Sequence, residues 1–442
     1  MTRRISLAML VPLLLAGWMG SAQSSAVAVI TPTRFDDPTP DGCSNNGCSL
    51  REAIIQANAT SGPDEIILSA GTYLLTLTGA AEDLAASGDL DITREALTIT
   101  GAGKTATVVD AGEEDGLAER VFHIGQFEAG DQPDVAISGL TITGGWANDG
   151  AEINGGGIFL FDGSLTVTDA GLIDNYGGQN GSGGGLQAES GTTATLMRVE
   201  VAENSTTTSG SAAGIAVVLG TVTILDSSIH DNHAMFVGGG IAAYSGALSV
   251  RDTTISGNSS PDDGGGLYSS GTTTSLDNVT ITGNLADTDQ NDDGQGGGIA
   301  RFGGTVTIRN TIIAGNDDQS PPGSQPDDCF GTVVSEGHNL IGNGEGCTVT
   351  PTTGDQIGTA AAPIDPKLGS IADNGGPTPT HALLPGSTAI DGGESVTPRS
   401  GGAGCDSADQ RGAPRTGTCD IGAYELVLCK GIAVTRVGTG GN

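Results

Sequence analysis

Apolar residues along most of this chain fall in short alternating runs. Leu248, Val250 and Ile255 form one such set, Leu276, Val279 and Ile281 a second, and Val306, Ile308 and Ile312 a third. Runs this short, bounded by Gly, Asn and Thr, predict strands and not helices. Between them a small-residue step leading into an aliphatic recurs six times, as Gly155-Gly156-Gly157-Ile158, Gly183-Gly184-Gly185-Leu186, Ala212-Ala213-Gly214-Ile215, Gly238-Gly239-Gly240-Ile241, Gly264-Gly265-Gly266-Leu267 and Gly296-Gly297-Gly298-Ile299. An Asn follows each step: Asn175, Asn204, Asn232, Asn258, Asn284 and Asn316. The distance from the third residue of the step to that Asn is 18 residues in five cases and 19 in one, whereas the return to the next step takes 10, 10, 8, 8 and 14 residues.

A repeat with one fixed part and one variable part describes a solenoid. The fixed part stacks on the coil below, and the variable part bulges as a loop. The pattern predicts an all-β, right-handed parallel β-helix over 63–345, with less regular early coils through Glu65–Leu68, Leu90–Ile92, Leu97–Thr100 and Leu140–Thr143. The glycines allow tight turns, and the Asn amides are placed to bond coil to coil at a corner. No Lys-Ser/Thr follows the glycines, so they are not a phosphate loop.

An open solenoid needs covered ends. Ser49 with Glu52 forms a capping box at the start of a short helix, and Leu50, Ile54 and Ala57 share one face of it. Residues 23–62 are therefore expected to cap the N-terminal end. Arg51 and Glu52 belong to that cap and are not read as catalytic.

Other features set the compartment. Arg3 and Arg4, an apolar run from Ile5 to Trp18, and Gly20-Ser21-Ala22 read as a secretory signal over 1–22, with no membrane-spanning segment in the mature chain. Seven Cys fit an oxidising environment: Cys43 and Cys48 near one end, and Cys329, Cys347, Cys405, Cys419 and Cys429 in the last third. Sequence does not assign connectivity; neighbour pairing, 43–48, 329–347 and 405–419, is the simplest arrangement and leaves Cys429 over. A formal net charge of −35 excludes nucleic acid as a partner. It suits divalent cations and a solvated acidic surface.

The segment Cys48-Ser49-Leu50-Arg51-Glu52-Ala53 spells the motif of the CSLREA domain, which this chain resembles, and Gly88-Asp89-Leu90-Asp91-Ile92 looks like the coil that often follows it. Residues 346–428 resemble the choice-of-anchor Q region. The likeness is carried by Asp365–Gly369, Asp373–His381, Leu384–Ser387, Ala389–Asp391, Asp409–Gly412 and Asp420–Glu425, with 429–442 left as a tail. A weaker likeness links the repeats to polymorphic outer-membrane proteins. The resemblance implies an extracellular or cell-surface β-helix and supplies no reaction. Physically, Asp409, Arg411, Asp420 and Glu425 are suited to ion pairs that hold a loop-rich region lacking a dense core.

Three functional readings remain open: a structural, adhesin-like or ligand-binding rod at the cell surface, a polysaccharide lyase or glycoside hydrolase, and a calcium-dependent surface module. The rod reading leads, with no catalytic residue assigned, and its partner would be an extracellular polysaccharide or a host or cell-surface ligand. For a hydrolase, Asp262-Asp263, Asp292-Asp293, Asp317-Asp318 and Asp327-Asp328 supply acidic pairs in the variable loops. For a lyase, Arg198, Arg251, Arg301 and Arg309 are basic groups within the repeats. His230 and His233 flank Asn232 and give a weak hint of metal or base chemistry. Asp287, Asp289, Asn291 and Asp293, followed by Gly294, space oxygen ligands like the first half of a calcium loop, although the closing Glu is absent.

Overall fold

The computed structural model describes residues 27–427, apart from 45–46, 80–81, 95, 113–118, 127–131, 148–152, 292, 321–327 and 395–403. The expected signal, the tail with Cys429, and the Asp292 and Asp327 members of two acidic pairs lie outside the described residues. What remains is a right-handed parallel β-solenoid of about nine turns with one helix.

Each turn of the regular region places three strands on three faces. The first follows the glycine step, as in Ile241–Tyr244. The second and third are separated by a single left-handed residue, and in Ala247–Ser256 and Thr273–Thr282 they run on as one bent strand. That corner holds Asp169, Arg198, Asp226, Asp252, Asn278 and Asn310, all at positive φ. Asp and Asn, which tolerate this conformation best, fill five of these six positions. Parallel pairing without register slip joins Thr193–Met197 to Thr221–Leu225 and then to Ala247–Arg251. Inward residues such as Val222, Ile224, Leu248 and Val250 form one continuous core with at most 1% exposure. The ladder begins at Ala28–Ile30 and its last parallel strand is Gln356–Ile357.

The repeated Asn side chains form a buried ladder along the axis. Each Nδ2 donates to the Oδ1 of the next: Asn175 to Asn204 at 3.1 Å, Asn204 to Asn232 at 2.9 Å, Asn232 to Asn258 at 2.8 Å, Asn258 to Asn284 at 2.9 Å, and Asn284 to Asn316 at 2.8 Å. Every Nδ2 also donates back to a carbonyl of the preceding coil, as Asn258 does to Ile229 at 3.0 Å. From Asn204 to Asn316 each Oδ1 also accepts the preceding Asn main-chain N–H, as Asn258 accepts from Asn232 at 3.1 Å, and Asn175 Oδ1 accepts from Gly145 N–H at 3.1 Å. The ladder ends on Asp328, whose Oδ1 accepts from Asn316 Nδ2 at 2.9 Å. A carboxylate only accepts, so it terminates a directional file of amides without leaving a donor over.

The glycine step packs against this ladder. Gly238 has φ +68°, and a Cβ on Gly240 would meet the Gly266 carbonyl at 2.7 Å and the Asn258 amide at 3.0 Å. The step is thus a close approach of neighbouring coils, which is why only small residues occupy it.

The N-terminal helix spans Leu50–Ala59 and carries the reciprocal capping box of Ser49 and Glu52. Arg51 is fully buried. It holds Asp37 through two bonds of 2.7 and 3.0 Å, and it donates to the carbonyls of Ala85, Gly88 and Asp89. The guanidinium therefore ties the helix to the stretch Gly88–Ile92.

Three disulfides join Cys43 to Cys48, Cys329 to Cys347 and Cys405 to Cys419. The C-terminal region does more than close the end of the rod. It folds back along the flank of the third face and reaches far up the stack. Gly422 N–H donates to Asn310 O, Ala423 N–H to Thr280, Thr378 to Asp226 O, and Lys104 to Pro377 O. Arg415 is buried between Asp252 of the solenoid at 2.8 Å and Glu425 at 3.4 Å. Arg411 pairs with Asp409 at 2.6 Å and lies 3.6 Å from the Tyr424 ring centroid. The acidic and basic residues of these motifs, Asp409, Arg411, Asp420 and Glu425, hold the strap together, and Arg415 joins it to the solenoid.

Two substitutions test these contacts by urea unfolding. Asn258→Ala removes two donated bonds and strands two donors of Asn232, so it should cost about 2–4 kcal/mol; a cost below about 1 kcal/mol would show that the ladder contributes little. Arg51→Lys places a point charge where a planar five-donor group is satisfied, and should destabilise by about 3 kcal/mol or more.

Candidate functional site

The outward side of the first face differs from the other two. Gln187, Ala216, Ala242, Tyr268, Ala300 and Phe330 share one register row along the axis. Ala216 and Ala242 are fully buried although they point away from the core, because Tyr244 and Tyr268 pack over them. The aromatics continue coil by coil, with ring centroids 5.6 Å apart from Tyr244 to Tyr268, 5.5 Å from Tyr268 to Phe302 and 5.3 Å from Phe302 to Phe330. Phe302 is 47% exposed. The result is a ribbon of four rings laid along the solenoid axis.

One edge of the ribbon is acidic. Asp263 lies just before the glycine step that leads into Tyr268. Burial pushes its carboxyl up to about 7, with Asp262, Asp318 and Asp293 adding repulsion. Its Oδ1 is buried without a hydrogen-bond partner. Burial, followed by the charges of Asp289, Asp293 and Asp287, also raises Asp262. Burial likewise raises the Tyr268 phenol, and the Asp263 charge adds to it. Loops from three successive coils therefore bring their carboxylates to one side of the aromatic ribbon. A carboxyl pushed up to about 7 among other carboxylates is suited to general acid catalysis.

Residues singled out in the sequence divide among different places. Asp262, Asp263, Asp317 and Asp318 lie at this edge, on neighbouring coils. Asp287 Oδ1 accepts from the Asn291 main-chain N–H at 3.0 Å, and its Oδ2 accepts from Ser320 Oγ at 2.6 Å. Asn291 Nδ2 donates to Asp289 at 3.1 Å, and Asn291 Oδ1 accepts from Asp293 N–H at 2.9 Å. The expected calcium ligands Asp287, Asp289, Asn291 and Asp293 are thus largely engaged in shaping their own loop. Among the described residues, the group of three acidic or His side chains with ligand atoms within 4.8 Å of one another is Asp83, Asp91 and His123 instead.

The basic groups are held by carboxylates or carbonyls. Arg198 pairs with Asp169 at 2.6 Å, Arg251 with Asp406 at 3.1 Å and Arg309 with Asp277, while Arg301 donates to the Gly304 carbonyl. His230 and His233 do not converge. Burial lowers the pKa of His230, but its bonds to Glu200 and Asp231 outweigh this and raise it, while its own bond is the main cause holding Glu200 down at about 2. His233 contacts Ser259 at 2.8 Å, and burial lowers its pKa.

The aromatic ribbon was not among the expectations drawn from the sequence. The signal lay in the places following each step: Tyr244 after Gly240-Ile241, Tyr268 after Gly266-Leu267, Phe302 after Gly298-Ile299, and Phe330 next to Cys329.

No protein-family model matches this sequence, and no curated protein matches it. Solved structures of similar shape include pectate lyase Pel9A, at 15% identity and TM-score 0.48 over 90% of this chain and 96% of that one. The A-module of the Azotobacter vinelandii mannuronan C-5 epimerase AlgE4 matches at 13% identity and TM-score 0.42, over 72% of this chain and 93% of that one. The xylose complex of XylC matches at 10% identity and TM-score 0.47, over 82% of this chain and 65% of that one. Likenesses of this strength carry no information about chemistry. Among the described residues no helix is long and apolar enough to cross a membrane.

The elevated Asp263 has a thermodynamic signature. Its folded-state value lies above the ordinary carboxyl value of 3.8, so the folded protein retains a proton that the unfolded chain loses. The resulting destabilisation is absent below about pH 4, grows as pH rises, and is complete above about pH 7. Asp263→Asn should match wild type near pH 4 and exceed it by about 1–2 kcal/mol at pH 8, allowing for solvent screening. Urea unfolding at both pH values measures this, and an equal difference at the two would remove the assignment.

Proposed function

We propose that this protein acts on an extracellular polysaccharide laid along the aromatic ribbon of the first face, as a glycoside hydrolase with Asp263 in the role of general acid. The observation that supports the reading is the juxtaposition of four rings, one from each of four successive coils and in contact along the axis, with a carboxyl of raised pKa. Sugar rings present apolar C–H faces to aromatic side chains, and a ribbon one ring per coil matches a linear polymer and not a compact ligand. An ionised neighbour from Asp262, Asp293 or Asp318 supplies the second carboxylate that hydrolysis needs. A lyase is less well served, because Arg198, Arg251 and Arg309 are each paired with an Asp.

The names of two structural neighbours, a pectate lyase and a mannuronan epimerase, are in keeping with a polysaccharide partner. The reading stands on the face itself. A binding rod without turnover is the second reading, and the same ribbon supports it. Calcium belongs to this proposal as a counter-ion: bound at the loop from Asp287 to Asp293, it would relieve the repulsion that raises Asp262 and Asp263. Membership of the CSLREA and choice-of-anchor Q family, and secretion, are proposed on the matched motifs, the capping box and the three disulfides.

A panel of neutral and acidic polysaccharides, assayed for binding and for released reducing ends or unsaturated uronides, tests the proposal with and without calcium. Tyr268→Ala with Phe302→Ala should weaken binding by about 2–4 kcal/mol in total, by analogy with stacking losses of roughly 1–2 kcal/mol per ring. Asp263→Asn should abolish product release while leaving binding intact. Binding without release in wild type would establish the rod, and no binding to any polymer would overturn both readings.

A further inference from the structure

We propose that Asp83, Asp91 and His123 form a binding site for one divalent transition metal ion, of which zinc is the natural probe. The site lies on the first coils, away from the aromatic ribbon, and does not depend on the reading given for it. Asp91 and His123 occupy the same register row on adjacent strands, Leu90–Ile92 and Phe122–Ile124. Asp83 reaches them from the segment preceding Leu90–Ile92, and the ligand atoms of all three lie within 4.8 Å of one another.

The separation of the two buried ligands favours a shared ion over a direct bond. His123 Nδ1 stands 3.3 Å from Asp91 Oδ1. That oxygen is buried and accepts no hydrogen bond, although Asp91 is fully buried. Two ligands on adjacent corners of a tetrahedron, each about 2.0–2.1 Å from a zinc ion, stand about 3.3–3.4 Å apart. One imidazole and two carboxylates suit zinc and its neighbours better than calcium or magnesium, which prefer oxygen alone.

The surroundings hold the ligands in place. Asp91 Oδ2 accepts the Ala85 N–H at 2.8 Å. The carbonyls of Ala85, Gly88 and Asp89 are fixed by Arg51. The His123 ring stacks on Phe159, with centroids 5.3 Å apart, and Phe161 meets it edge-on at 6.3 Å. Arg120 is directed to Asp89 at 3.4 Å and lies over the Phe159 ring. The ion would clip the exposed end of the 82–91 segment to the solenoid, beside a cavity of about 580 Å³ lined by Ile55, Asn58, Leu84 and Gln126 among others.

The test uses the whole mature protein, stripped with chelator and titrated with zinc against a chromophoric competitor, then with cobalt followed by visible absorption. Wild type should take up one equivalent of zinc with a rise in Tm, and should show the intense cobalt band of a four-coordinate site. His123→Gln should abolish the band. Asp83→Ala, an exposed position that does not threaten folding, should weaken zinc binding about tenfold or more. Asp365→Ala, an exposed carboxylate elsewhere, should change nothing. Calcium should not compete. Zinc uptake of equal affinity in wild type and Asp83→Ala, or no stoichiometric uptake by wild type, would overturn the site.

Discussion

The stacking of one coil on the next in fixed register is the constraint on which everything else in this molecule depends. Backbone ladders provide most of the contact, but they alone would allow a coil to slip. The Asn ladder prevents that, because each amide donates both up and down the stack and is fully buried from Asn175 to Asn284. A slip by one residue would leave a buried amide without partners at every coil, at a cost of roughly 1–3 kcal/mol for each unmet group. The 18-residue spacing from glycine step to Asn is the sequence expression of that requirement, and the one 19-residue coil is absorbed without disturbing the Asn175–Asn204–Asn232 bonds.

Registered stacking also makes surface patterns possible. A residue placed at the same point of successive coils becomes a line along the axis, with neighbours about 4.8 Å apart. Inward lines of Ile, Leu and Val make the core. On the first face, outward aromatics make a ribbon, and the loops beside it pile carboxylates from three coils against one another. Neither feature demands anything of a single coil; both arise from repetition. Burial is the main cause of the raised Asp263; of the carboxylates that add to it, Asp262 is its chain neighbour, whereas Asp318 and Asp293 are close only because their coils are stacked.

The flanks are divided between the two ends of the chain. The N-terminal helix covers one end, pinned through Arg51. The C-terminal strap runs back along the third face, where Arg415 reaches Asp252 and Lys104 reaches Pro377. That flank is therefore occupied, on the side away from the aromatic ribbon of the first face. Charge pairs within the strap, such as Arg411 with Asp409 and Arg415 with Glu425, supplement a small apolar cluster in which Leu383, Ala389 and Ile421 pack against Ile312, Ala314 and Leu340 of the solenoid.

The sequence by itself determined the fold class, the coil boundaries, the capping helix and the corner role of the Asn residues. Each of these rests on local pattern: alternation of two, a recurrent step, a Ser49–Glu52 box. It also placed the carboxylates in the loops, but did not determine which loops lie beside one another. The expected calcium ligands were read along one loop, where Asp287 and Asn291 do bond to each other, and the structure adds carboxylate contacts between coils, from Asp262 to Asp289 and from Asp263 to Asp318. Tyr244, Tyr268, Phe302 and Phe330 are separated by 24, 34 and 28 residues, and Asp83, Asp91 and His123 by 8 and 32. Such groups become neighbours only when coils of unequal length stack in register. The variable loops set those intervals, so tertiary structure alone decided which side chains meet.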